Sequence, residues 1–329
     1  MTFGDVSLED ALGHILAHSV ALGDWRLRKG LVLDRDSIAA LRVAGVERVT
    51  VATLDASDVD ENTAADQLAD ALMTQNAGLR RSEAFTGRVN LIAESAGVAV
   101  LDVSALHAVN GGDPMITVAT VPQHHQLRKG DLVATIKIIS YGVPKPALEL
   151  AVAQAQSAIS LSPPVLRDAT LIITEIQGGA GEKGRAAIEA RLNSLDVTLS
   201  DVVKVQHTQE ALSAAITKAQ TPLVLILTGS ATSDIGDVAP AALVKSGGRV
   251  TRFGMPVDPG NLLFLGALGE QTVIGLPGCA RSPALNGADW VLARVVCGVE
   301  VTARDIGAMG VGGLLKEIPT RPQPRRSKP

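Results

Sequence analysis

Apolar positions along the chain recur at helical steps in some stretches and alternate in others, and the switch between the two periods marks out the elements. Leu8, Ala11, Leu12, Ile15, Leu16 and Val20 fall at helical spacing, which predicts an N-terminal helix with Ser7 as N-cap and Asp10 three residues on. A basic hairpin-like stretch follows at 26–30. A short helix over 36–44, closed by Gly45, leads to an alternating strand over 48–54. Residues 63–73 predict a longer helix, and 79–107 a mixed, mainly helical stretch ending at the turn Asn110-Gly111-Gly112. Residues 115–121 and 131–140 alternate and are rich in β-branched side chains, so they predict paired strands. A helix over 147–160 then runs into Ser162-Pro163-Pro164, the clearest boundary in the chain.

Beyond that boundary strands and helices take turns. Residues 169–174, 197–205, 223–227, 249–254 and 272–276 predict strands, and 185–194, 209–219, 237–246 and 282–297 predict helices. Such alternation implies a parallel sheet covered by helices on both faces. The expected fold is therefore α/β, a doubly wound, mainly parallel sheet preceded by a smaller mixed α+β portion. The division is 1–160 for the N-terminal portion, 165–303 for the α/β domain, and 304–329 for a C-terminal extension with a basic, proline-rich tail.

Composition narrows the classes. Hydrophobic residues at 46% against 19% charged indicate a chain that folds, and only 2% aromatics means aliphatic cores. A net charge of -4 argues against a nucleic-acid partner, which calls for clustered Lys and Arg. Cys279 and Cys297 alone exclude a disulfide scaffold or a cysteine-rich zinc site. No apolar run reaches the roughly 20 residues of a spanning helix, and the start shows no basic-then-apolar leader; a cytoplasmic protein without a membrane partner is expected.

Chemistry concentrates where strands end. Gly179-Ala180-Gly181-Glu182-Lys183-Gly184 fits G-x-G-x-x-G between a strand and a helix, which admits an NAD-dependent oxidoreductase as an alternative. The next strand, however, ends in Gln206-His207 and offers no carboxylate for a ribose. The loop 228–237 is denser: Thr228, Gly229, Ser230, Ser233 and Gly236 precede a helix and form an anion-binding concavity, with Asp237 at the N-cap position. Two further loops, 254–261 with Pro259 and Gly260, and 275–282 with Pro277, Gly278, Arg281 and Ser282, follow strands at the same edge. Three such loops at one sheet edge make a candidate site. His14 and His18 stand four apart on the predicted first helix with no third ligand nearby, and read as surface residues.

The runs GSATSDIGDVAPAAL, MPVDPGNLLFLG and IGLPGCARSPALNG resemble the molybdopterin-binding family of molybdenum cofactor biosynthesis proteins, over about 169–303. The sequence is most similar to the molybdopterin-binding half of bacterial proteins fused to a molybdenum cofactor cytidylyltransferase domain. The patterns Ile173-Thr174-Glu175-Ile176-Gln177, Phe85-Thr86-Gly87-Arg88-Val89-Asn90 and 309–315 carry that likeness. Ser230 replaces the second glycine of the family loop, Asn261 its usual lysine, and Cys279-Ala280 its Asn-Pro. No nucleotidyltransferase signature accompanies the motifs.

The resemblance implies molybdopterin or the molybdenum cofactor as ligand, with Thr174 and Gln177 among the binding residues and Asp237 as the functional aspartate. Amides of the 228–236 loop, with Ser230 and Ser233, would hold the phosphate, and Lys183 and Arg281 would add positive charge. Asp237 and Asp234 would carry the chemistry, Asp237 as a ligand of Mg2+. The implied partners are a nucleotidyltransferase and a molybdoenzyme, and the implied assembly a homo-oligomer. Maturation enzyme and binding-only carrier remain alternatives. Asn caps helices about as well as Asp, so Asp237→Asn is expected to leave folding nearly unchanged.

Overall fold

A computed structural model describes residues 1–258 and 260–315, arranged in two compact units. The first comprises Met1–Glu94, Ala99–Gln123 and Lys129–Leu161; the second comprises Ser95–Val98, His124–Arg128 and the described residues from Ser162 on. Pro259 and the basic tail lie outside the described residues.

The first unit is built from short antiparallel sheets and four helices, Arg35–Val43, Glu61–Leu72, Val103–Gly111 and Lys145–Ala155. Its largest sheet runs in the order Ile116–Thr120, Leu132–Ile138, Arg88–Ala93, Leu79–Arg81. The paired strands predicted around 115–121 and 131–140 are present, with Ile116 opposite Ile138.

Two helical expectations fail here. Residues 8–20 are turns and short strands instead of a helix. Leu8, Ala11 and Leu16 are buried, as the spacing demanded. The chain nevertheless turns at Gly13 (φ +82), whose N–H donates to Leu33 O at 2.8 Å, and Leu16 N–H donates to Leu31 O at 2.8 Å. Leu12, which a helix would have buried beside them, is 49% exposed. His14 and His18 are accordingly not on a helix face. The stretch 79–107 is mostly strand, because Arg88–Ala93 alternates exposed and buried side chains with period two before the helix Val103–Gly111 begins. The helix over 147–160 likewise stops at Ala155, and Ile159–Ser162 is extended.

In the second unit the elements, numbered in chain order, are β1 (Asp168–Glu175), α1 (Arg185–Asn193), β2 (Thr198–Gln206), α2 (Gln209–Lys218), β3 (Leu223–Leu227), α3 (Val238–Lys245), β4 (Arg249–Met255), β5 (Asn261–Leu268), β6 (Gln271–Gly275), α4 (Gly287–Val296) and α5 (Ala303–Ala308). The six strands form one sheet in the order β2-β1-β3-β6-β5-β4. Its first four members are parallel, and β5 is antiparallel to both neighbours. The α/β class and the mainly parallel sheet expected from sequence are found.

β5 is the exception. No helix interrupts 255–275, so the chain returns across the sheet edge as two consecutive antiparallel connections, and the apolar run of β5 was left unassigned by the alternation of strand and helix. The predicted helix over 282–297 is also shorter, Gly287–Val296, preceded by a 3-10 turn at Gly278–Arg281.

Period-two burial explains the two helical layers. Leu171 and Ile173 of β1 and Leu225 and Leu227 of β3 point into a core with Ile188, Leu192, Val291, Leu292 and Ile306. Ile172, Val224 and Ile226 point the opposite way, onto Leu212, Ile216, Ala242 and Leu243. A strand buried on both faces reads as an unbroken apolar run, as β3 does. Val98, from the N-terminal part of the sequence, is fully buried in the first of these cores, and its strand partner Gln126 belongs to the same unit.

Candidate functional site

The order β2-β1-β3-β6-β5-β4 reverses between β1 and β3, and open α/β sheets bind ligands at the carboxyl ends of strands flanking such a reversal. The loops 176–184, 228–237 and 276–282 leave β1, β3 and β6 at that edge. A cavity of about 150 Å³ opens there, lined by Leu227, Thr228, Gly229, Ser230, Ala231, Thr232, Leu262, Leu276, Pro277, Gly278 and Arg281. Of the residues singled out in the sequence, Thr228, Gly229, Ser230, Pro277, Gly278 and Arg281 meet in this lining. Leu227, Ala231, Thr232, Leu262 and Leu276 complete it without having been singled out.

The loop after β3 is shaped from beneath by Thr174. Its buried hydroxyl accepts the Gly229 N–H at 2.9 Å and lies 2.8 Å from His207 Nδ1. A side chain at Gly229 would strike Thr174 O, since a Cβ there would lie 2.7 Å from it, so glycine permits the close approach. Thr174 thus supports the site without lining it. His207 entered the sequence reading only as the end of the strand beside β1, with no role given to it.

The far half of the same loop is closed on itself. Asp237 accepts the Ser233 N–H at 2.9 Å through one carboxylate oxygen and the Val238 N–H at 2.7 Å through the other. The Ser233 bond, with help from Val238 and the nearby His207, holds its carboxyl below the usual value against an opposing effect of burial. Asp234 accepts the Gly236 N–H at 2.8 Å. The amides of Ser233 and Gly236 are therefore engaged within the loop, and that of Gly229 is taken by Thr174 of β1. Those of Ser230, Ala231 and Thr232 have no protein acceptor among the described residues, and they belong to the cavity wall. No cluster of three or more His, Cys, Asp or Glu suited to a metal occurs among the described residues. A hard cation at Asp237 would need most of its oxygen ligands from a bound phosphate and water.

Arg281 faces the cavity from the other side. Its Nη1 donates to Gly181 O at 3.3 Å and Lys183 O at 2.5 Å, and its Nη2 to Thr228 O at 2.8 Å. A guanidinium has five N–H donors, so Nε–H and one Nη2–H are left without a protein acceptor among the described residues. Burial pushes its pKa down, and no carboxylate among the described residues offsets that burial. Gly184, at φ +99, makes room for it: a Cβ at 184 would lie 2.6 Å from Arg281 Cα. The room left by the third glycine of the motif, which in a dinucleotide site serves close packing of helix on strand, is taken here by the Arg281 stem.

The remaining sequence candidates lie outside the cavity lining. Gln177 and Lys183 are exposed, and the Lys183 carbonyl is one of the three held by Arg281. Ser233, Asp234 and Gly236 are exposed further along their loop, and Ser282 offers its carbonyl to Arg191. Gly260 is exposed at φ +95, and Pro259 lies outside the described residues.

Residues 5–53 match a family model described as a domain of unknown function (DUF8806). No curated protein matches the chain by sequence. Among solved structures the chain is similar to the molybdopterin biosynthesis moea protein from Pyrococcus horikosii, at 14% identity and TM-score 0.32, over 92% of this chain and 76% of that one. It is similar to molybdenum cofactor biosynthesis protein B at 16% identity and TM-score 0.29, over 40% of this chain and 88% of that one. A molybdenum cofactor biosynthesis protein from Pyrococcus furiosus is similar at 13% identity and TM-score 0.23; the match covers 85% of this chain and 59% of that one. These are distant structural resemblances. Among the described residues no helix is long and apolar enough to cross a membrane.

Proposed function

We propose that this chain binds molybdopterin or its nucleotide form and acts in molybdenum cofactor biosynthesis or maturation. The observation that carries the reading is the cavity between 228–232 and Arg281. Three successive amides without acceptors among the described residues share the cavity wall with a guanidinium that is partly desolvated, has no carboxylate partner among those residues and retains two donors without a protein acceptor there. That arrangement suits the phosphate end of a ligand, since charge-assisted bonds to an oxyanion are about twice as strong as neutral ones. The motifs around 228–240 and 275–282 supply the pterin half of the proposal.

In this reading Ser230, Ala231 and Thr232 donate their amides to phosphate oxygens, and Arg281 pairs with the same group through Nε and Nη2. Asp237, or Asp234, offers a carboxylate oxygen to Mg2+ held mainly by the phosphate. Titration with molybdopterin and with NADH tests it: the first should bind, and Arg281→Gln should weaken binding by about ten-fold or more. Binding of NADH with no binding of molybdopterin would end the proposal. Incubation with Mg2+, a nucleotide and the pterin, followed for pyrophosphate release, separates a maturation enzyme from a carrier.

A further inference from the structure

Two arginines clasp the loops of the site reciprocally. Arg281, on the loop after β6, holds the carbonyls of Gly181 and Lys183 ahead of α1. Arg191, on α1, reaches back to the loop that carries Arg281. Its Nη1 donates to Ala280 O at 3.0 Å and Ala187 O at 3.2 Å, and its Nη2 to Ser282 O at 2.8 Å and Ala284 O at 2.9 Å. Its Nε donates to Asp289 at 2.5 Å, so all five N–H donors are committed. The two side chains of this ion pair are only 10% and 11% exposed. The carbonyls taken at 280 and 282 are those immediately either side of Arg281.

We infer that Arg191 is a positioning residue for anion binding at this site, acting through Arg281; the inference rests on the reading of the 228–232 cavity as an anion site. A flexible loop would let the Arg281 guanidinium wander among solvent-facing rotamers, and ordering it would cost binding free energy. Gripping both adjacent carbonyls fixes the backbone from which the side chain departs. Asp289 completes the arrangement: its second oxygen accepts the Asn286 N–H at 2.7 Å and starts α4, so the far end of the loop is anchored as well. A lysine at 191 keeps the positive charge beside Asp289 but lacks the planar fork that spans several carbonyls.

Inorganic phosphate is the probe, titrated calorimetrically into the full chain and into Arg191→Lys, Arg281→Gln and the double variant, at a temperature well below each thermal midpoint. Because removing one partner of a buried ion pair is strongly destabilising, Arg191→Gln with Asp289→Asn, which leaves no buried charge unpaired, is made in parallel. Arg191→Lys should weaken phosphate by about ten-fold. In the Arg281→Gln background the same change should have no further effect, because interacting residues are not additive. Equal affinity of Arg191→Lys and the native chain, or a full additive loss in the double variant, would overturn the positioning role while leaving the anion site standing. Failure of the native chain to bind phosphate would overturn the anion reading and this inference with it.

Discussion

Asp237 shows how much a single carboxylate can hold and what its sequence position does and does not disclose. The spacing marks it as a helix N-cap, and Asn substitutes well at an ordinary cap. The structure adds a second bond: one oxygen serves Val238 and the other Ser233. An asparagine has one oxygen, and its NH2 would face one of those N–H groups. Asp237→Asn should therefore lower stability by about 1 kcal/mol, in contrast to the near-neutral change expected from capping alone, and should also weaken Mg2+-dependent ligand binding. Its folded carboxyl titrates below its ordinary value, so its stabilisation is present above the unfolded pKa and disappears as pH falls through the folded one. Thermal midpoints measured downward from about pH 5 should fall less steeply in Asp237→Asn than in the native chain. Thr174→Val strands the Gly229 N–H and should cost about 1–3 kcal/mol, read from the same melting curves. Burial pushes the Cys297 thiol up to about 11, whereas Cys279 is partly exposed. An alkylating reagent at pH 8 should modify Cys279 in the native protein and Cys297 only after unfolding. Arg281 was visible in the sequence as a positive charge at the rim. Its grip on Gly181, a hundred residues away, was not, because no local pattern encodes which carbonyls a long side chain will meet.

At the scale of elements, legibility followed the strength of the period. Strand β3 is apolar throughout and β1 is buried from Ala169 to Thr174, and both emerged where the sequence placed them. The N-terminal stretch failed because Leu8, Ala11 and Leu16 meet a helical template by coincidence of turns, with Gly13 supplying a left-handed residue that a helix would not use. Strand β5 was missed because its antiparallel return breaks the rule of one helix per crossover. Its placement depends on a glycine in the neighbouring strand. A Cβ at Gly275 would fall 1.9 Å from the Phe264 ring, so Gly275→Ala must displace that buried aromatic. A loss of about 1–3 kcal/mol is expected, enough to lower the thermal midpoint measurably. Gly278→Ala, with nothing within 4 Å of the added carbon, is the matched control and should leave the midpoint in place.

For the molecule as a whole, the long continuous part of the second unit begins at Ser162, in the run Ser162-Pro163-Pro164. What no boundary signal could give is that this unit also takes in Ser95–Val98 and His124–Arg128. A polypeptide starting at Ser162 would leave the place of Val98 in its core vacant, and should melt lower than the same unit within the full chain. The interleaving also sets a timetable. On a ribosome adding 5–20 residues per second, residue 128 is made roughly 10–40 s before residue 315. During that interval the core residues of 169–306 that surround Val98 arrive one after another, and the set is complete only near its end. The second unit cannot be finished as its own residues emerge in order, and the apolar segment waiting for it is the part of the nascent chain most in need of a chaperone.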